Sequence, residues 1–125
     1  MITDQLGREV HLKLPAKRIV SLVPSQTELL FDLGLNEEVI GITKFCIHPE
    51  HWLCEKTIIG GTKNFHVDKI RKLQPDLIIA NKEENTKELI EELALDYPVY
   101  ISDVNNIEDA LQMISNVGKI GRAHV

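Results

Sequence analysis

This sequence has few of the residues and runs that would reveal its chemistry directly. Cysteine occurs only twice, at Cys46 and Cys54, which is too few for a disulfide framework and cannot alone supply a four-ligand zinc site. Positive charge is in deficit: 14 Lys and Arg stand against 19 Asp and Glu, a net charge of −5. A broad nucleic-acid footprint needs the opposite balance, so no nucleic-acid partner is expected. No apolar run approaches the length of a membrane span. Met1 leads directly into Thr3-Asp4-Gln5 with no charged, then apolar, leader, so the chain as written is expected to stay in the cytoplasm. Signatures of enzymes are missing too. Gly60-Gly-Thr-Lys63 is too short for a phosphate-cradling loop. No glycine follows the first buried strand for close pyrophosphate approach, and there is no G-x-S-x-G elbow.

The residues that are present suit a single globular domain. With 43% hydrophobic and 26% charged residues, composition is that of a folded protein, and 125 residues can bury about two-thirds of the unfolded surface. The organising stretch is Arg18 to Leu35. Ile19, Val20, Leu22 and Val23 form a short run rich in β-branched residues, as in a parallel strand covered on both faces. Pro24 ends the ladder because it has no N–H to donate. Ser25 with Glu28 reads as a capping box, Leu29, Leu30 and Leu33 as one helical face, and Gly34 as a left-handed helix end.

Along the chain, a turn at Asp4–Arg8 followed by alternating Val10, Leu12 and Leu14 predicts a short lead-in hairpin closed by Pro15. Further strands are expected at 39–43, 57–59, 77–80 and 99–101, with an irregular segment over 44–56. Val67, Ile70 and Leu73 predict a helix that Pro75 ends. Asn85 with Glu88 repeats the capping box before a helix striped by Leu89, Ile90 and Leu93. Asn105 or Asn106 should cap a last helix whose stripe is Ile107, Ala110, Leu111, Ile114 and Val117. Alternating strands and helices predict an α/β fold: a Rossmann-like lobe, mostly parallel, with helices on both faces. The expected division is a lobe over 1–104, the start of a long helix over 105–119, and a non-native tail over 120–125 left by gene truncation, since the pattern breaks at Ile120.

Arg18-Ile-Val-Ser-Leu-Val-Pro-Ser-Gln-Thr-Glu28 resembles the start of the helical-backbone substrate-binding proteins of ABC importers for cobalamin, ferric siderophores and haem. Val39-Ile-Gly-Ile-Thr43, Ile59-Gly-Gly61 and Ile70-Arg-Lys-Leu-Gln-Pro-Asp-Leu-Ile-Ile-Ala80 match in order, and Thr3 to Arg8 is similar to the family's usual opening. The resemblance implies two α/β lobes joined by one long helix, with ligand between them. This chain would then be the N-terminal lobe, its second lobe missing. A membrane permease would be the partner, a metal complex the ligand, and the periplasm or cell surface the location. No catalysis and no cofactor are implied. The competing reading is an α/β enzyme or cytoplasmic sensor.

Ligand-facing positions should lie just past the C-terminal ends of the strands. The candidates are Pro24, Ser25, Gln26, Lys44, Phe45, Cys46, His48, Gly61, Asn81 and Lys82. Of these, the resemblance implies Pro24, Phe45 and Asn81 as contacts, and Asn81 departs from the aromatic residue of the cobalamin binders. The bland alternatives are that Ser25 only caps and Phe45 only packs. Cys46, His48, Glu50 and His51 carry metal-ligand donors, but the spacing fits no standard site, so a ligand contact by His48 or Cys46 is preferred and no metal site is assigned. The resemblance implies permease docking for Asp68, which also suits a helix start on a solvated face. His11, His66 and the run Glu83, Glu84, Glu88, Glu91 and Glu92 read as surface.

Overall fold

The computed structural model describes residues 2–12 and 15–121. Two short antiparallel strands, β1 (Ile2–Thr3) and β2 (Glu9–Val10), form the lead-in hairpin. There follow β3 (Ile19–Ser21), α1 (Pro24–Asp32), β4 (Val39–Ile42), α2 (Trp52–Glu55), β5 (Thr57–Ile58), α3 (Val67–Leu73), β6 (Leu77–Asn81), α4 (Lys87–Ala94), β7 (Val99–Ser102) and α5 (Ile107–Gly121). The main sheet has five strands, all parallel, in the order β5-β4-β3-β6-β7. The chain steps from β3 outward to β5, then returns to lay β6 against the other side of β3. The strand order therefore reverses between β3 and β6, where the loops diverge to opposite faces and leave a crevice.

Strand residues alternate between two cores. Ile19, Ile42, Leu77, Ile79 and Tyr100 pack with Leu30 of α1, Trp52 of α2, and Val117 and Ile120 of α5 on one face. Val20, Ile78, Ala80, Val99 and Ile101 pack with Ile70 of α3 and Ile90 and Leu93 of α4 on the other. The expected α/β lobe with helices on both faces is therefore the observed architecture. Gly41 admits α3 closely: a Cβ there would come within 2.9 Å of Leu73 Cδ1. The edge strand β7 is covered rather than left open to another chain. The buried Asp4 carboxylate accepts from Leu6 N, Arg8 N and Arg8 Nη1 and also from Ile101 N (3.3 Å), while Gln5 N donates to Ile101 O at 3.0 Å.

Both expected capping boxes are absent. α1 starts one residue earlier than predicted, with Val23 as N-cap, no side-chain cap, and Pro24 at the first turn. The locked φ of proline suits that position, so Ser25 falls inside the helix and caps nothing. α4 is preceded by Thr86, again without a side-chain cap, because the Asn85 side chain is buried and committed elsewhere. Its amide donates to Leu22 O (3.1 Å) and Thr62 O (2.9 Å) and accepts from Asn81 N (2.8 Å). One side chain thus ties together the segments that follow β3, β5 and β6. Gly34, at φ +89, does end α1 in the left-handed conformation, and Asn106 does cap α5, accepting from Asp109 N at 2.8 Å.

Three other differences concern extent. The segment expected to be irregular contains α2, whose Trp52 is fully buried. α5 continues through Ile120 and Gly121, past the expected boundary at 119, because Ile120 lies on the inward stripe with Val117 and accepts, through its carbonyl, from Ala16 N at 3.0 Å. Leu14 and residues 122–125 of the expected tail lie outside the described residues. The last expected stripe divides: Val117 is buried and Ala110 half-buried, whereas Ile107 and Leu111 are 78% and 61% exposed and Ile114 is exposed as well. Asn116 Nδ2 donates to Tyr100 OH (2.9 Å), holding α5 to the sheet, and burial keeps the Tyr100 phenol above its ordinary pKa.

Asn85→Ala would leave two carbonyls and an amide without their partner. It is expected to lower unfolding free energy by about 3 kcal/mol in a denaturant titration, whereas a loss under about 0.5 kcal/mol would show that the loops hold without it. The exposed strip Ile107–Leu111–Ile114 should bind a hydrophobic dye. The pair Leu111→Lys and Ile114→Lys should remove most of that fluorescence without lowering the helical circular dichroism signal.

Candidate functional site

The crevice at the C-terminal ends of the strands is lined by the segments after β3, β4, β5, β6 and β7. On its β4–β5 side, Lys44, Phe45, Gly60, Gly61, Thr62, Lys63, Asn64, His66 and Lys69 are among the residues bounding a cavity of about 570 Å³, within the range of small-molecule sites. Phe45 stands 53% exposed here, with Lys44 Nζ 5.3 Å from the centre of its ring. Gly61 lies against that ring: a Cβ would meet Phe45 Cε2 at 3.3 Å and Lys44 Cε at 3.6 Å. The turn carrying Gly61 is closed by a bridge between Gly60 and Phe65, and Gly60 accepts from Lys44 N at 2.9 Å. A second cavity, about 580 Å³, opens on the other flank between Leu6 and Ile90, and Asn81 and Lys82 border it.

Pro24, Ser25, Lys44, Phe45, His48, Gly61 and Lys82 lie past strand ends as expected, in the segments after β3, β4, β5 and β6, whereas Asn81, expected just past a strand ending at 80, is the last residue of β6. Several are less free than their positions suggest. Lys82 Nζ is 3.8 Å from Asp103, and Asn81 is occupied at both ends of its amide. Its Nδ2 donates to Ser102 Oγ (3.0 Å), and its Oδ1 accepts from Glu83 N (2.9 Å) and Glu84 N (3.0 Å).

Two candidates turn inward. Gln26 is 2% exposed. It reaches from the first turn of α1 to the end of β7, where Nε2 donates to Ser102 Oγ at 2.5 Å. Ser102 in turn donates to Ala80 O (3.2 Å), while Gln26 Oε1 is buried with no partner among the described residues. Gln26 is therefore a brace beneath the crevice floor and not an open contact. Cys46 is buried because the turn after β4 folds it back, its N donating to Thr43 O at 3.1 Å. Its Sγ lies 3.1 Å from both Thr27 Oγ1 and Thr43 Oγ1, within a chain of hydroxyls that includes Ser21. The thiol is thus enclosed by hydroxyls and not exposed at the crevice.

The metal-donor segment is dispersed in the same way. Cys46 is internal, His48 exposed, and His51 packs edge-on to Phe31 with centroids 5.8 Å apart. Among the described residues no three His, Cys, Asp or Glu side chains converge as a metal site would require. Asp68 is exposed in the first turn of α3, and His11 and the Glu83–Glu92 carboxylates are on the surface. His66 is exposed too, but it borders the Phe45 cavity together with Lys63 and Lys69. Sequence reasoning missed these three, as it missed Asn85. The only signal was their nearness to Gly60-Gly61, a turn that had to fold back over a strand end.

Comparison with known proteins fits this arrangement. The Periplasmic binding protein family profile matches residues 19–122. An uncharacterised ABC transporter substrate-binding lipoprotein of Bacillus subtilis is 31% identical over 98% of this chain and 38% of its own length. A vitamin B12-binding protein of Yersinia pestis is 30% identical over 89% of the chain and 40% of its own length. The crystal structure of a petrobactin-binding protein of Bacillus subtilis superposes with a TM-score of 0.84 at 23% identity, covering 95% of this chain and 44% of that one. The chain thus spans about two-fifths of the curated relatives it matches. With the parallel sheet, the crevice at its strand ends and a profile match across most of its length, the chain belongs to the periplasmic binding protein family.

Proposed function

We propose that this chain is the N-terminal lobe of the substrate-binding component of an ABC importer, and that the ligand is a metal complex of the corrinoid, ferric siderophore or haem-like kind. The observation that carries the reading is Phe45: a half-exposed aromatic ring held at the C-terminal end of β4, in a chain of this family. Large aromatic surface is costly to leave in water, and at such a crevice it serves a ligand's apolar face. Pro24 and Ser25 would border the same ligand across the crevice, and His48 would lie at its rim.

Residues 1–104 would form the lobe, and α5 would begin the helix leading to a second lobe that closes the other side. Capture between two lobes needs no bond to be made or broken, so the chain performs no chemistry. Delivery would follow when acidic surfaces, Asp68 among them, dock on arginines of a membrane permease, which sets the protein at the cell surface or in the periplasm. Asp68 is exposed and makes no ion pair among the described residues, so its charge is available to a partner.

Titration with cobinamide, cobalamin, hemin and ferric siderophores, read by absorbance and fluorescence quenching, tests the reading. Saturable binding to one of them, weakened about tenfold (about 1.4 kcal/mol) by Phe45→Ala, is expected. Binding indifferent to Phe45→Ala would put the ligand elsewhere, and no binding to any would overturn the reading. In the protein assembled with its permease, Asp68→Lys should lower uptake several-fold while leaving ligand affinity unchanged. An equal loss of both would remove Asp68 from docking.

A further inference from the structure

The cavity beside Phe45 has a charge opposite to that of the chain. The protein as a whole carries five more acidic than basic groups, yet the residues bounding this cavity include Lys44, Lys63, His66 and Lys69 and no carboxylate. None of the four makes an ion pair with Asp or Glu among the described residues, whereas Lys82 and Lys87, elsewhere on the same side of the sheet, are each within 4 Å of one. Clustered ammonium groups with no counter-charge repel one another, and an anion that enters relieves the repulsion.

The cluster is also held in place. Lys63 Nζ donates to Glu83 O at 2.5 Å, its own carbonyl accepts from Thr86 Oγ1 at 2.6 Å, and the preceding carbonyl of Thr62 accepts from Asn85. Lys44 N is bonded to Gly60 O, and His66 N to Ile59 O at 2.7 Å. The absence of a side chain at Gly61 leaves the floor open beneath Lys44 and Phe45. Lys44 Cε and His66 Cδ2 lie beside the Gly60-Gly61 turn, so the backbone that carries the basic residues forms a space walled on one side by an aromatic ring, and little backbone ordering is needed on binding.

Resting on the importer reading, we infer that the ligand of this crevice presents anionic oxygens, carboxylate or phosphate, to Lys44, Lys63, His66 and Lys69 while its apolar face lies against Phe45. A neutral corrinoid without such oxygens would use Phe45 alone and leave the lysines uncompensated.

The experiment is an amide NMR titration of the 125-residue chain with hemin, ferric citrate, metal-free citrate and neutral dicyanocobinamide, at low and at physiological salt. Hemin and ferric citrate are expected to perturb 44–46 and 61–69 and to weaken with salt. The pair Lys44→Gln and Lys63→Gln should weaken both about tenfold, or about threefold per exposed charge. Dicyanocobinamide binding as tightly as hemin, with the lysine pair affecting neither, overturns the anion site while leaving the importer reading in place. Metal-free citrate binding as tightly as ferric citrate supports the anion site and removes the metal complex. No perturbation by any probe overturns both. Lys44 and Lys63 are exposed, and amide spectra without ligand that change only around the substituted residues and Glu83, the acceptor of Lys63 Nζ, verify that the fold is intact.

Discussion

The crevice depends on one buried amide. Asn85 joins Leu22 after β3, Thr62 after β5 and Asn81 at the end of β6 through three hydrogen bonds. Loops at strand ends ordinarily follow the solvent, because their backbone groups need partners that a core does not supply. Here a side-chain amide with two donors and one acceptor supplies them, and it does so where water is largely excluded and each bond counts for more. Phe45 and the turn around Gly61 are positioned from this base, since Lys44 N reaches Gly60 O within the same linked set of loops.

A second layer of polar contacts lies beneath the floor. Gln26, Asn81 and Ser102 converge on one hydroxyl, joining α1, β6 and β7 across the point where strand order reverses. Ser21, Thr27, Thr43 and Cys46 form a similar chain between β3, α1 and the segment after β4. Buried polar groups of this kind fix loop geometry only when nearly all are satisfied. Gln26 Oε1 is the exception among the described residues. The ligand-facing layer is left to residues with exposed side chains, chiefly Phe45 and the lysines and histidine beside it.

Local chemistry explains which expectations held and which did not. Strands were legible because β-branched runs at Ile19–Val20 and Ile78–Ile79 are buried on both faces, and the left-handed end of α1 because Gly34 is the residue that adopts it most easily. Ser25 and Asn85 shared a short motif that a local rule reads as a helix cap. Pro24 displaced the first by beginning α1 early. Burial claimed the second, as the Asn85 amide had carbonyls to satisfy in segments 63 and 23 positions away.

The order of the strands and of every helix but α2, the two-faced sheet and the location of a crevice past the strand ends follow from the sequence alone, because periodicity, proline and glycine act over a few residues at a time. Tertiary structure decided which side chains line that crevice. Gln26 is drawn inward by a serine 76 positions away, Cys46 is enclosed by two threonine hydroxyls, and Lys63, His66 and Lys69 are gathered beside Phe45 by a turn folding back over β5. Such outcomes depend on partners brought together only when the sheet forms, and no local pattern specifies them.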